Sequence, residues 1–247
     1  MNLCVARAAA VVVCAALAAS AQSNLPPSET LSYEVEWRLI HAGNAKLGWN
    51  AEPVGGWRAT LALESVGLVS RLYKVNNEYS SHFNDRLCIQ NSLLKTNEGK
   101  KRTETTVTYE EGKAKYVERD LVKNRIADSH EIDIRPCEHD VVGALYTLRT
   151  LNIPLGQSVQ IPISDGKKVI MGRVDAQQRE NVKIEGVEYK TIRYEAYLFN
   201  GVLYRRSGRL FIWLTDDDRR LPVQIRVRMP FYIGTVTLQL NQEGKTQ

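Results

Sequence analysis

The chain has 247 residues, 43% of them hydrophobic and 25% charged, with a formal net charge of +5. That balance fits one large β domain or two small ones, and it excludes a disordered chain, a collagen-like fibre and a multi-span membrane protein. A positive charge this small and this evenly spread does not point to nucleic acid.

Residues 1–21 read as a secretory signal peptide. Arg7 is the only charge, 11–19 are apolar or small, and Ala19-Ser20-Ala21 is an A-x-A cleavage site ahead of Gln22. The alternative is an uncleaved anchor helix, but the stretch is short and rich in Ala for a membrane span. Cys14 follows Val13, where lipoprotein processing needs a small residue. The expected location is therefore periplasmic or secreted, with cleavage after Ala21 and no transmembrane span in the mature chain. Losing Arg7 and no acid lowers the net charge from +5 to +4.

An extended lead-in over 22–30 carries Pro26-Pro27. Period-two alternation then begins: Leu31, Tyr33, Val35, Trp37 and Leu39 on one face, and Ser32, Glu34, Glu36 and Arg38 on the other. Ala42-Gly43-Asn44 reads as the turn into a strand over 46–51, and 57–63 form a third strand. Residues 65–74 break the alternation and suit a short helix through Val69, Leu72 and Tyr73. Strands resume at 78–83, 87–95, 102–109 and 113–118, with Glu110-Glu111-Gly112 as a hairpin turn. Residues 120–129 show no pattern, and Ile132 and Ile134 suggest a brief strand.

The best helix spans 140–151. Val141, Val142, Leu145, Tyr146 and Leu148 form its apolar stripe, Asp140 caps its start and Pro154 follows its end. Hairpins follow around Asp165-Gly166, Glu185-Gly186 and a polar turn at 216–220. The last strand spans 231–240, and its inward parity switches across Gly234, as a β-bulge would produce. Eleven to thirteen strands and two short helices at this spacing predict a mostly β protein. Its architecture is a large curled antiparallel sheet, barrel or half-barrel, in a single domain over 31–241 with a tail at 242–247.

Two of the four Cys lie in the signal segment, leaving Cys88 and Cys137. In an oxidising compartment the simplest reading is one disulfide, closing a loop of about 49 residues and contributing ~3–4 kcal/mol. Two buried free thiols, or a metal site of Cys137 with His139, are the alternatives. Glu138-His139-Asp140 is the densest polar cluster, and it fits a helix N-terminus, where acids complement the dipole, better than a metal or acid/base site. No G-x-S-x-G or H-E-x-x-H motif occurs. The expected protein has no catalytic residues, metal or cofactor.

The apolar pattern is more informative. Leu210, Ile212 and Leu214 alternate with Phe211 and Trp213, so this strand is covered on both faces. The 140–151 helix can supply one cover and a ligand cavity the other. Trp37, Trp49 and Trp57 come from the first three strands and, with Leu61 and Trp213, are the candidate apolar lining. A packed core is the competing reading. Arg205, Arg206, Arg226 and Arg228 are the candidate basic rim, which would attract an anionic headgroup. Solvation of strand faces is the alternative.

The segment 140–149 (Asp-Val-Val-Gly-Ala-Leu-Tyr-Thr-Leu-Arg), the tail Arg219-Arg220-Leu221-Pro222-Val223 through Ile233-Gly234-Thr235-Val236, and the opening Leu31-Ser32-Tyr33-Glu34-Val35 with Ala42-Gly43 resemble the bacterial domain-of-unknown-function family numbered 3108. The resemblance covers most of 31–240. It implies an exported β-rich protein without an assigned chemistry. The strand ending in Leu221-Pro222-Val223 is also similar to later strands of periplasmic lipoprotein carriers, which hold acyl chains in a curled sheet. The leading expectation is a non-enzymatic envelope protein binding a lipid, acyl chain or glycolipid. The alternatives are an envelope scaffold that docks protein partners, and a cell-wall glycan enzyme using paired carboxylates.

Overall fold

A computed structural model describes residues 25–198, 208–230 and 234–244. The elements in chain order are β1 (Ser28–Trp37), β2 (Ile40–Ala51), β3 (Trp57–Ser65), α1 (Gly67–Leu72), β4 (Asn76–Phe83), β5 (Ile89–Glu98), β6 (Lys101–Glu110), β7 (Lys113–Asp120), β8 (Arg125–Asp133), α2 (Val141–Thr150), β9 (Ser158–Ser164), β10 (Val169–Ile184), β11 (Val187–Tyr197), β12 (Arg209–Thr215), β13 (Pro222–Arg228) and β14 (Thr235–Gly244). All fourteen strands belong to one antiparallel sheet. It runs as two meanders joined by the pairing of β1 with β14, with β8 and β9 as its edge strands, β9 being bridged at Ile163 by His139. No helix among the described residues is long and apolar enough to cross a membrane.

The period-two pattern places one register row, Val35–Leu238–Ile225–Ile212–Tyr194, on the inner face. The next row, Glu34–Gln239–Gln224–Trp213–Arg193, lies on the outer face. The sheet curls around α2. On one side of this helix Val142 and Tyr146 join Tyr33, Leu47, Trp49 and Phe83. On the other, Ala144 and Leu148 join Ile163, Tyr194, Ile212 and Leu214. Gly143 permits this approach, since a Cβ there would fall 2.5 Å from the Phe83 ring.

α2 is fixed at both ends. Asp140 caps its start by accepting from the Gly143 amide at 2.5 Å. Near its end, Arg149 forms a buried ion pair with Glu29 of β1, and the Tyr146 hydroxyl donates to the same carboxylate at 2.8 Å. Tyr146 also stacks on Trp49, with ring centroids 3.7 Å apart. Side chains, not a ladder, tie the end of β9 and the β9–β10 turn to β6 and β8. Lys167 in the β9–β10 turn reaches Asp128 of β8 at 2.5 Å, and the Tyr109 hydroxyl donates to the Ser164 carbonyl at 3.4 Å.

Four sequence expectations need correction. The first hairpin turns at Arg38 and Leu39, both with positive φ (52° and 66°), and Ala42-Gly43-Asn44 lies inside β2. Gly43 is needed there because β3 passes so close that a Cβ would sit 2.2 Å from the Glu64 carbonyl oxygen. The patternless 120–129 segment contributes most of β8, whose residues are largely exposed on both faces. Within 125–129 only Asp128 is even partly buried, so this half of the strand leaves no apolar alternation to read. The hairpins around Asp165-Gly166 and Glu185-Gly186 suggest separate strands at 167–174 and 181–184, whereas residues 169–184 form one strand, which bulges between Ala176 and Gln178. Gly234 closes the β13–β14 turn: it donates to the Pro230 carbonyl and its own carbonyl accepts from the Met229 amide. The bulge assigned to it is therefore absent, and Phe231 and Ile233 lie outside the described residues.

Candidate functional site

The inner face is not filled throughout. Between β3–β7 and the start of α2 lies an open cleft of about 750 Å³. Its apolar surface comes from alternate positions of neighbouring strands, chiefly Leu61, Leu63, Leu94, Val107, Tyr109 and Tyr116. Ser92, Thr96, Thr103 and Thr105 occupy inner-face positions of β5 and β6 and add hydroxyls to the wall. Asp140, Val141 and Val142 form the helical side, and the β9–β10 turn closes one flank with Ser164, Asp165, Lys167 and Lys168. That turn fits tightly, since a Cβ on Gly166 would fall 2.6 Å from Val107.

The polar groups of the cleft differ in availability. Burial raises the carboxyl of Asp140 above its ordinary range, against the hydrogen bonds it accepts from Tyr79 and Gly143. Burial, with Asp140 beside it, also pushes the Tyr79 hydroxyl well up, so this pair stays hydrogen-bonded. Tyr109 is likewise raised by burial. Glu118 accepts from the Tyr116 hydroxyl at 2.7 Å and pairs with Lys101 at 3.5 Å. Burial pulls Lys167 down, but Asp128 and Tyr116 outweigh it and leave its ammonium raised. The Lys168 amide donates to the Asp165 carboxylate at 3.0 Å, and its ammonium has no carboxylate partner among the described residues. The cleft therefore combines an apolar wall, several hydroxyls and one cation open to an anionic group.

Of the expected lining, only Leu61 faces this cleft. Trp49 is fully buried between Trp57 (5.3 Å) and Tyr146, so it packs the core. Trp57 stacks on it, and Trp37 is half-buried at the end of β1 opposite Val236. Trp213 lies on the opposite face of the sheet from these residues, with its indole N–H donating to Glu180 at 2.5 Å. Leu210, Ile212 and Leu214 do face α2, and Phe211 and Trp213 point away. The strand between them is covered on both sides.

The arginines likewise separate from the cleft. Arg226 lies over the Trp213 ring at 5.1 Å and Arg228 over Phe211 at 5.4 Å, on the outer face. Arg205 and Arg206 lie outside the described residues. Cys88 and Cys137 are joined as a disulfide. That bond takes Cys137 away from any metal site with His139, whose Nδ1 sits 2.7 Å from the Leu87 carbonyl oxygen.

Sequence reading missed Tyr79, Leu94, Val107, Tyr109, Tyr116 and Lys168. The signal was present in the hydroxyl residues at inner-face parity on β5 and β6. A face that alternates Leu or Val with Ser and Thr is not matched to a dry helix.

The fold recurs in a solved protein from Brucella abortus, described as a beta-barrel-like protein of domain of unknown function DUF1849. The two share 8% identity and a TM-score of 0.55, over 89% of this chain and 98% of that one. No curated protein matches the sequence. The family model described as a protein of unknown function (DUF3108) matches residues 32–241, and the chain belongs to that family.

Proposed function

We propose that this is an exported, non-enzymatic protein that holds a lipid or other amphiphilic ligand in the cleft between β3–β7 and α2. One observation carries the reading: about 750 Å³ of space lies against an apolar wall with Lys168 at its side. That volume is within the ~300–1,000 Å³ usual for small-molecule sites. An acyl chain would lie along Leu61, Leu63, Leu94 and Val107, and an anionic headgroup would meet Lys168 and the wall hydroxyls. The Cys88–Cys137 bond suits an oxidising compartment such as the periplasm.

Native mass spectrometry after detergent-free purification tests this. A bound species of lipid mass, released on denaturation, is the expected result. Ligand-free protein that also takes up no fluorescent fatty acid would sink the idea. The free edge of β8 favours a second reading, an assembly protein that pairs a partner strand. Its Arg, Asp and Glu residues are of the type that protect an edge, which ranks it second.

A further inference from the structure

A meander sends its turns alternately to the two ends of the sheet. Along β1–β8, the connections at 38–39, 66–75, 99–100 and 121–124 share one end, as the register pairs Trp37↔Ile40, Glu64↔Asn76, Glu98↔Lys101 and Asp120↔Arg125 require. The connections at 52–56, 84–88 and 111–112 share the other.

The first end is apolar and cationic. Leu39 is 91% exposed, Leu72 75% and Val122 67%, and Leu68, Tyr73 and Leu121 are exposed with them. Helix α1 buries none of its residues, so Leu68 and Leu72 contribute nothing to the core. Leu39 occupies a left-handed hairpin position that favours Asn or Gly, where a leucine is strained. Arg38, Arg71, Lys74, Lys100 and Lys123 sit among these side chains, all exposed. None of the four connections contains Asp or Glu. The carboxylates beside this end stand on the adjoining strands: Glu36, Glu64, Glu98 and Asp120. Glu36 accepts from Gln239 and Glu64 from Asn44. There Glu98 accepts from Asn77 and Asp120 from the Val122 and Lys123 amides. The opposite end is different: its turns hold Glu52, Asp85 and Glu111, with Val54 as their exposed apolar residue.

Single exposed apolar residues are ordinary, but a group of them interleaved with one sign of charge marks a contact surface. Here the apolar groups stand on turn tips and cations surround them. That complements a plane of anionic headgroups over acyl chains, where each Lys or Arg gains about 1 kcal/mol and the tips lie at the headgroup boundary. We infer that this end of the sheet docks peripherally on an anionic lipid bilayer through Leu39, Leu72 and Val122 and the lysines and arginines between them. Lys101, Thr103 and Glu118, which line the cleft, lie toward the same end of the sheet. This goes beyond the ligand-binding reading and does not depend on it.

Flotation of the full chain with phosphatidylcholine vesicles, with and without phosphatidylglycerol, is the test. Binding should require phosphatidylglycerol and weaken with salt. Arg71→Glu with Lys100→Glu and Lys123→Glu should weaken it by roughly a hundredfold or more. Leu39→Gln with Leu72→Gln and Val122→Gln should weaken it at least about tenfold and keep the salt dependence. All six positions are exposed, so both variants should melt near the wild-type temperature. Absence of binding to phosphatidylglycerol vesicles, equal binding to both vesicle types, or wild-type binding by the charge-reversed protein would each overturn the inference. Binding to a soluble anionic polysaccharide or a protein while vesicles are ignored would overturn it too. Leu94→Trp, which narrows the cleft, should leave docking unchanged, so a failure of docking is distinct from a failure of ligand binding.

Discussion

Replacing both Cys88 and Cys137 with Ala should destabilise the protein by about 4 kcal/mol. The bond spans 49 residues, and the entropy of closing a loop of that length in the unfolded chain gives that figure at 25 °C. For a domain of this size it corresponds to a melting temperature lower by about 8–16 °C. The loop it closes contains β5, β6, β7 and β8, the outer wall of the cleft. That wall has a small core of its own, with Val107, Ala114 and Tyr116 buried and Tyr109, Ile132 and Ile134 packed on them. The main cluster, by contrast, lies around Trp49 and α2. Loss of the clamp should therefore show first in β5–β8. Calorimetry gives the magnitude, and amide hydrogen exchange with and without reductant gives the location. An unchanged melting temperature would refute the clamp. So would ready alkylation of both thiols in unreduced protein, or protection lost first in β1 and β14.

The buried ion pair offers a second perturbation. The Arg149 and Glu29 side chains are 1% and 6% exposed, so Arg149→Met alone strands a carboxylate and should cost about 3–5 kcal/mol in urea unfolding. Adding Glu29→Gln should recover a large part of that loss, and no recovery would contradict the account. His139 predicts a pH dependence. Burial holds its folded value below the ordinary 6.5, so as pH falls past 6.5 the unfolded chain takes up a proton that the folded chain does not. Stability present above pH 6.5 is thus lost as pH falls toward the folded value. His139→Gln should flatten melting temperature over this window, and an unaltered slope would exclude His139 as its source. Asp140, raised by burial, contributes the opposite slope: stability present below 3.8 and lost as pH rises through its folded value. Asp140→Asn should remove that slope in the same assay while keeping a capping side chain.

The elements with one wet and one dry face were legible in the sequence, β1 and α2 most clearly. Helix α2 carried three agreeing signals: a cap at Asp140, an apolar stripe and Pro154 beyond its end. The two-sided burial of β12 was also readable from Leu210 to Leu214. The 125–129 half of edge strand β8 was hidden because only Asp128 in it is even partly buried, and the first turn because Arg38 and Leu39 lack the usual turn residues. The cleft was the hardest feature to read. Trp residues suggested a binding surface, but Trp49 stacks on Trp57 and Tyr146 in the core and Trp213 lies across the sheet. Which side chains line a space depends on where α2 ends its cover of the inner face. That is set by long-range contacts, Arg149 with Glu29 and Cys88 with Cys137, and not by local pattern.

The central claim is that the space between β3–β7 and α2 holds an apolar chain. Leu94 projects into it opposite Thr105 and beside Tyr79, and Leu94→Trp would narrow it at the middle of the apolar wall. Titration of a fluorescent fatty acid into wild type and Leu94→Trp is the most direct measurement. The account predicts saturable one-to-one binding by the wild type, weakened at least about tenfold in a variant that still melts cooperatively, the loss of a few apolar contacts sufficing for that factor. Equal binding by both proteins, or no saturable binding by the wild type, would contradict it.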